Sequence, residues 1–421
     1  MLISEEILIS FAEKCEELYE HIVVRELPND LPFQGFLSGG VSFGIDQYGY
    51  RKIYISILRM IYQFPILSEK WSEEGIETIV LELVRDLAQQ KYEGSSKVDF
   101  LAMSRLLFTK INIDFEDYTC YLFVSGFMVD LPLEIGDVIF QPIDVNDKIF
   151  QSSSGRRFIK QGNQGRFCIA SSVICSEPKR AAEILRARVQ YALNILRFLA
   201  ACIWHDRPQR QIFLASRYPS LGSEAFVINS NSIPVFEFSD PEFSIIPIRF
   251  TDETHQYADS YGLSYIQSLL SDGQLSELQQ SYLTAIQWFG EATQELVPLN
   301  AFVQYFIAIE AALKKEKENG KEVIPGRIAV IISPWDKEGQ ETLAVSIKDL
   351  YDERNSVFHS GKPRNSSPER LIWEARILSR QVLHQLRLLI EVEELKTKDD
   401  LIDWIEKQTS KLDALLSPSE D

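Results

Sequence analysis

From residue 274 onward the chain reads as one helical segment after another, and this run constrains the fold more than any other feature of the sequence. Apolar residues recur at helical spacing in QLSELQQSYLTAIQWFGEATQEL (274–296), TLAVSIKDLYDERNSVFH (342–359), SPERLIWEARILSRQVLHQLRLLIEVEEL (367–395) and DDLIDWIEKQTSKLDALL (399–416). AFVQYFIAIEAALKKEKENG (301–320) is apolar nearly all round before a charged tip, as a central helix is, and 326–333 gives a short helix. Pro298 and the run Ser360-Gly361-Lys362-Pro363 supply stops. An all-α bundle is therefore expected over 274–395, with 396–421 as an amphipathic helix and tail that packs on the bundle or on a partner. Helices 301–313 and 367–393 carry more apolar surface than a small bundle needs, which leaves a stripe for a partner.

Residues 1–270 mix the two periods. Ile7, Leu8, Phe11, Leu18, Ile22 and Val23 predict a helix over 4–26, ended by Pro28. Residues 28–50 read as loop and short strands, 51–64 as β-rich, and 71–93 as amphipathic helix. Over 98–175, short β-branched and aromatic runs alternate with turns, and GNQG (162–165) favours hairpins. Helix returns at 177–204, a second β-rich stretch covers 210–250, and 260–273 reads as a polar link. The expectation is an α+β region with a mostly antiparallel sheet, in one or two subdomains. We read it as sensory or regulatory.

The formal net charge of the 421 residues is -18, which argues against sequence-blind coating of nucleic acid but leaves room for one basic cleft. Cys15, Cys120, Cys168, Cys175 and Cys202 form no C-x-x-C pair and have no histidine at zinc-finger spacing. Buried free thiols in a reducing cytoplasm are expected. Glu5 and Glu6 stand where a secretory leader would be basic, and the apolar run 191–204 is broken by Asn194 and Arg197. A cytoplasmic location with no membrane partner follows as the expectation.

Three pieces in order carry a family resemblance: LTAIQWFGEA (283–292), FVQYFIAIEAALKK (302–315) and IKDLYDERNSVFHSGK (347–362). Together they resemble the Apea-like HEPN family. The first is similar to its opening helix and the second to its aliphatic-Glu-Ala-Leu core helix, with Glu310 at the Glu position. The third is similar to its Leu-Tyr-x-x-Arg-Asn signature ending in His-Gly. Ser360 between His359 and Gly361 departs from that pattern. The resemblance implies an RNA-cutting domain that dimerises with its motifs facing each other. It also implies a role in bacterial defence, where host RNA is cut to abort phage infection.

The chemistry can be stated independently. RNA cuts itself when a 2′-hydroxyl attacks the adjacent phosphorus, which needs a group that exchanges protons near neutrality and positive charge on the phosphate oxygens. His359 supplies the first, because imidazole titrates in that range. Arg354 supplies the second through a fork that matches phosphate oxygens. Asn355 can hold sugar or phosphate by hydrogen bonds. Glu310 and Lys362 are supporting residues, Glu310 read either as a buried partner for Arg354, which is favoured, or as an exposed residue. No cofactor or metal is needed, and no cluster with metal-ligand spacing lies beside the motif. Five residues at about 100° each leave Arg354 and His359 about 140° apart on a straight helix. Either the helix loosens before Gly361 or the cleft combines groups from two chains.

Each motif residue also has a structural reading: Arg354 as a surface ion-pair partner, and His359 as a helix-end residue near the negative dipole. Lys362, Arg364, Arg370, Arg376 and Arg380 outnumber Glu369 and Glu374, giving either a phosphate-attracting rim or a solvated face. KRAAEILRAR (179–188) reads as a polar helix face, and His205-Asp206 as a helix-end cap rather than a catalytic pair. The glycines at 37–44 lack the Gly-Lys-Ser/Thr of a phosphate loop. The resulting expectation is a metal-independent endoribonuclease acting as a homodimer or even-numbered oligomer on RNA, under a phage-derived trigger. The alternative is a non-catalytic HEPN module for RNA or nucleotide binding or for dimerisation, favoured if the motif faces away from any cleft.

Overall fold

The computed structural model describes residues 4–24, 33–36, 42–64, 70–95, 97–111, 117–162, 166–175, 177–204, 225–229, 234–237, 248–295 and 297–416. The chain gathers into two compact units. One holds 1–120, 173–184 and 227–236, and the other holds 121–172, 185–226 and 237–421.

The first unit begins with α1 (Glu5–His21), β1 (Ile22–Val24), β2 (Phe33–Phe36) and β3 (Ser42–Ile45). The strands pair antiparallel in the order β1-β3-β2, with Ile22 and Phe33 both opposite Ile45. Next come α2 (Ile55–Tyr62), α3 (Glu73–Glu93) and α4 (Phe100–Ile111). Ser72 caps α3 by accepting from the Gly75 amide at 3.0 Å, and Gly94 closes it at φ 71°. Phe11, Leu18, Ile57, Val80, Leu87 and Leu107 share one core. Residues 51–64, read as β-rich, are helical: a π turn at Gly49–Tyr54 runs directly into α2. Ile53, Tyr54, Ile57, Leu58 and Ile61 are all buried, and their i, i+4 recurrence fits a helix, which packing against this core selects.

The following elements are β4 (Asp117–Ser125), β5 (Phe127–Val129), β6 (Leu133–Ile135), β7 (Val138–Pro142), α5 (Ser153–Gly162) and β8 (Arg166–Cys175). Then come α6 (Pro178–Ile203), β9 (Ala225–Asn229), β10 (Pro234–Glu237) and β11 (Ile248–Phe250). A six-stranded sheet has the order β10-β9-β4-β8-β7-β6, with β6/β7 and β7/β8 antiparallel, while β5 pairs with β11 in parallel. The hairpin expected around GNQG is replaced on its N-terminal side by α5. Ser152 accepts from the Gly155 amide at 2.9 Å to start that helix, and Phe158 stacks on Phe123 at 4.4 Å. Residues 163–165 of that turn lie outside the described residues.

The stretch expected to be a polar link is two helices, α7 (Asp252–Ser260) and α8 (Leu263–Ser271), turned at Gly262 with φ 101°. Six more helices complete the unit: α9 (Glu277–Gln294), α10 (Pro298–Leu313), α11 (Gly320–Ile332), α12 (Lys337–Ser360), α13 (Pro368–Val392) and α14 (Lys398–Leu416). The α+β region followed by a helical C-terminal part agrees with the expected fold class. Ser276 and Gln279 form a capping box on α9, and Pro298 and Pro368 start α10 and α13 in the first turn. Helix α10 packs on α9, α12 and α13, while α11 packs on α12, α13 and α14. Every residue of 301–313 is buried or partly buried, so the surplus apolar stripe expected there is consumed within the bundle. Helix α14 packs on the bundle through Leu401, Ile405 and Leu412.

One polar cluster is sealed into this unit. Gly290 on α9 lets α6 approach so closely that an added methyl would collide with Asn194. Asn194 donates to Gln287 at 2.9 Å and to Glu291 at 2.8 Å, and it accepts from the fully buried Arg197. Glu291, from the first resemblance motif, therefore serves packing between α6 and α9. Four of the cysteines, Cys15, Cys120, Cys168 and Cys202, are buried and free. Among the described residues no helix is long and apolar enough to cross a membrane.

Candidate functional site

Helix α12 carries the motif at its C-terminal end. It begins where Asp336 accepts from the Gly339 amide at 3.0 Å, and it stays α-helical through Ser360. Gly361 then takes the left-handed conformation at φ 71°, and its amide donates to Val357 O at 2.8 Å. Ser360 donates to Ser356 O at 2.7 Å, and Ser356 donates to Lys362 O at 2.9 Å. The inserted Ser360 thus tightens the last turn. Loosening of the helix before Gly361 does not occur, and Arg354 and His359 stay on different faces of one chain.

Arg354 lies against Glu310 of α10, with Nη2 and Oε1 3.5 Å apart and both side chains about one-fifth exposed. Tyr351, one turn earlier, donates to the same Glu310 oxygen at 2.8 Å. Burial, then the Glu310 carboxylate, push the Tyr351 phenol up, so it stays a neutral donor. Gly320 at the start of α11 leaves the space that this pair needs: a methyl there would meet the Tyr351 hydroxyl at 2.8 Å and Glu310 at 3.3 Å. Arg354 also donates from Nη1 to Asn355 Oδ1 at 3.1 Å and lies 5.2 Å from the centre of the Phe358 ring. Phe358 is 63% exposed and meets the exposed His359 ring edge-to-face at 5.4 Å. Lys362 is exposed, and among the described residues no carboxylate lies within ion-pair distance of it. The structure therefore brings Glu310, Arg354 and Asn355 together and leaves His359 and Lys362 at the exposed helix end.

Sequence reasoning missed Glu353. This residue is buried, and its two oxygens accept from the backbone amides of Arg364 at 2.5 Å and Asn365 at 2.8 Å. It anchors the turn that carries Lys362 beside the motif. On the neighbouring position, Asp352 pairs with Lys321 of α11 and sits 3.9 Å from Arg364. The hydrogen bond from Lys321 is the main cause that holds the Asp352 carboxyl below its ordinary value.

A cleft of about 620 Å³ opens between α12 and α13, lined by Asp349, Glu353, Arg364, Arg370, Trp373 and neighbours. None of Arg354, Asn355, His359 or Glu310 lines it. The arginines read as one rim divide between two places. Arg364 and Arg370 line this cleft, Arg370 bonded to Glu374 at 2.7 Å, while Arg380 lines a second pocket beside Cys202. His205 and Asp206 lie outside the described residues, as do 37–41 of the glycine-rich stretch. Among the described residues no three His, Cys, Asp or Glu side chains are grouped to hold a metal ion. No family model, curated protein or solved structure matches this chain.

Proposed function

We propose that the C-terminal helical domain is a metal-independent endoribonuclease whose site is completed by a second copy of the chain, with the N-terminal region regulating it in bacterial defence. The observation that carries this reading is the Glu310–Arg354 pair, braced by Tyr351, beside a helix that ends in an exposed histidine. Arg354 is held in one orientation but keeps guanidinium donors beyond its bonds to Glu310 and Asn355. In the reaction the 2′-oxygen forms a bond to phosphorus and the bond to the 5′-oxygen breaks. The His359 imidazole takes the 2′-hydroxyl proton, the imidazolium so formed gives a proton to the leaving 5′-oxygen, and Arg354 meets the charge that develops on the phosphate. Because helix rotation separates Arg354 from His359, the histidine is supplied across a two-fold interface. Exposed Val345, Phe358 and Trp373 on α12 and α13 give that interface apolar surface.

A second reading rests on a specific observation: the motif lies away from the α12–α13 cleft, and Arg354 is bonded within its own chain. On that reading Arg354 is a strut and the domain binds RNA or a second copy without cutting. Purified His359→Ala protein decides between them. The endoribonuclease reading expects a normal circular dichroism spectrum, a dimer by light scattering and loss of RNA cleavage. Undiminished cleavage, or full activity as a monomer, refutes the composite site.

A further inference from the structure

Helix α13 turns a second set of cations away from the motif and towards α6. Arg380 donates to Ala201 O at 3.2 Å at the end of α6, and Arg387 donates to Ser260 O at 3.2 Å in the turn before α8. Gly262 leaves the room over which the Arg387 side chain passes. A pocket of about 230 Å³ is lined by Cys202, Tyr261, Arg380, Gln381 and His384. His384 packs edge-to-face on Tyr261 at 5.3 Å, and its buried Nδ1 has no hydrogen-bond partner among the described residues.

The charge here is unbalanced. Arg387 is paired with Glu391 at 2.6 Å. Partly buried Arg376 and Arg380 have no carboxylate within ion-pair distance among the described residues. Arg380 therefore lines the recess without a counter-charge, and Arg376, one turn earlier on α13, adds a second positive charge near Cys202. Burial first, then Arg387 and Arg380, hold His384 below its ordinary value. Surface arginines normally face water or an acid, so this arrangement asks for an anion.

We propose that this pocket is a binding site, separate from the Arg354 motif, for a phosphate dianion held by Arg380 and the His384–Tyr261 pair, with Arg376 one turn earlier on α13 adding positive charge near Cys202. The planar fork of Arg380 suits phosphate oxygens, and the unmatched charge of Arg376 behind it helps to balance a dianion. The small volume fits a free phosphate or a terminal phosphomonoester, not a continuous nucleic-acid backbone. The site does not depend on the nuclease reading.

The test uses the full chain and reads thermal stability and titration heat at moderate salt with three probes: inorganic phosphate, a trinucleotide with a 5′-phosphate, and the same trinucleotide with a 5′-hydroxyl. Phosphate or the 5′-phosphorylated probe is expected to bind and to stabilise the protein, and the 5′-hydroxyl probe is expected not to; the two positive arms separate a free anion from an RNA end. Arg380→Met is expected to weaken binding about tenfold or more. Gln381→Glu, an exposed position that places a carboxylate beside Arg380, is expected to weaken it without a folding defect. His359→Ala is expected to bind phosphate as wild type does, so failure of the nuclease reading leaves this result intact. The site is overturned if no probe binds at about 10 mM, or if both pocket variants respond as wild type does.

Discussion

Replacing Glu353 by Gln should loosen the turn that follows the motif while leaving the bundle folded. The buried carboxylate accepts two backbone amides, from Arg364 at 2.5 Å and Asn365 at 2.8 Å. Glutamine is nearly isosteric but has one acceptor oxygen, so one bond survives and an amide N–H then faces a side-chain NH₂. A hydrogen bond to a charged group contributes about 1.5–3 kcal/mol, so the local cost is about 2–3 kcal/mol. At about 1.4 kcal/mol per decade, the Arg364 and Asn365 amides should exchange with deuterium about 30- to 140-fold faster. Helix α13 supplies the internal control, because its buried Val382, Leu383 and Leu386 make no use of Glu353. Glu353→Ala removes both acceptors and leaves a void, so its effect should be larger. Unchanged exchange at both amides in Glu353→Gln would refute the view that this carboxylate holds the turn.

Three further outcomes are expected. RNA cleavage should persist in EDTA and leave 2′,3′-cyclic phosphate and 5′-hydroxyl ends, and activity that EDTA abolishes and magnesium restores counts against a metal-free mechanism. Gly290→Ala should destabilise the second unit by about 1–3 kcal/mol, seen as a lower melting temperature, because the new methyl meets Asn194. Glu318 accepts from Arg327 at 2.6 and 2.7 Å, and these bonds lower its carboxyl from 4.5 to about 2. Its stabilisation, about 1–2 kcal/mol after solvent screening, is complete above about pH 4.5 and is lost as pH falls towards 2; the melting difference between wild type and Glu318→Gln should shrink over that range.

The helical third was legible because its apolar spacing admits one period over long stretches, with Pro298 and the run 360–363 marking breaks between helices. Segments 51–64 and 153–162 were not, because short runs fit either period and tertiary packing decides. Residues 260–273 looked like a polar link, yet Leu263, Ile266 and Leu269 are buried along a helix there. In the site, the Glu310–Arg354 pair was readable because a lone carboxylate on an apolar helix needs a cation. Glu353 was not, because its partners are backbone amides 11 and 12 residues downstream and leave no side-chain signature. Arg376 and Arg380 look alike in sequence whether they face solvent or α6.

Helix α12 divides its duties by face, and the division bears on how the motif works. Ile347 and Tyr351 point into the bundle, and Arg354 continues that line to Glu310. Leu343, Leu350 and Glu353 form the wall of the cleft against α13. Asp352, Asn355 and His359 share a third face, since steps of three, four and seven residues keep side chains within about 60° of one another. Asn355 is thus about 40° from His359 in helix rotation, while its Oδ1 holds Arg354 Nη1 from the neighbouring face. Asn355 therefore touches Arg354 and shares a helix face with His359, although Arg354 and His359 do not converge within one chain. A second copy that presents its own His359 face would place a histidine near the Arg354–Asn355 pair without any change in α12. An arginine fixed by its own chain and an imidazole free at the surface are what such an exchange requires.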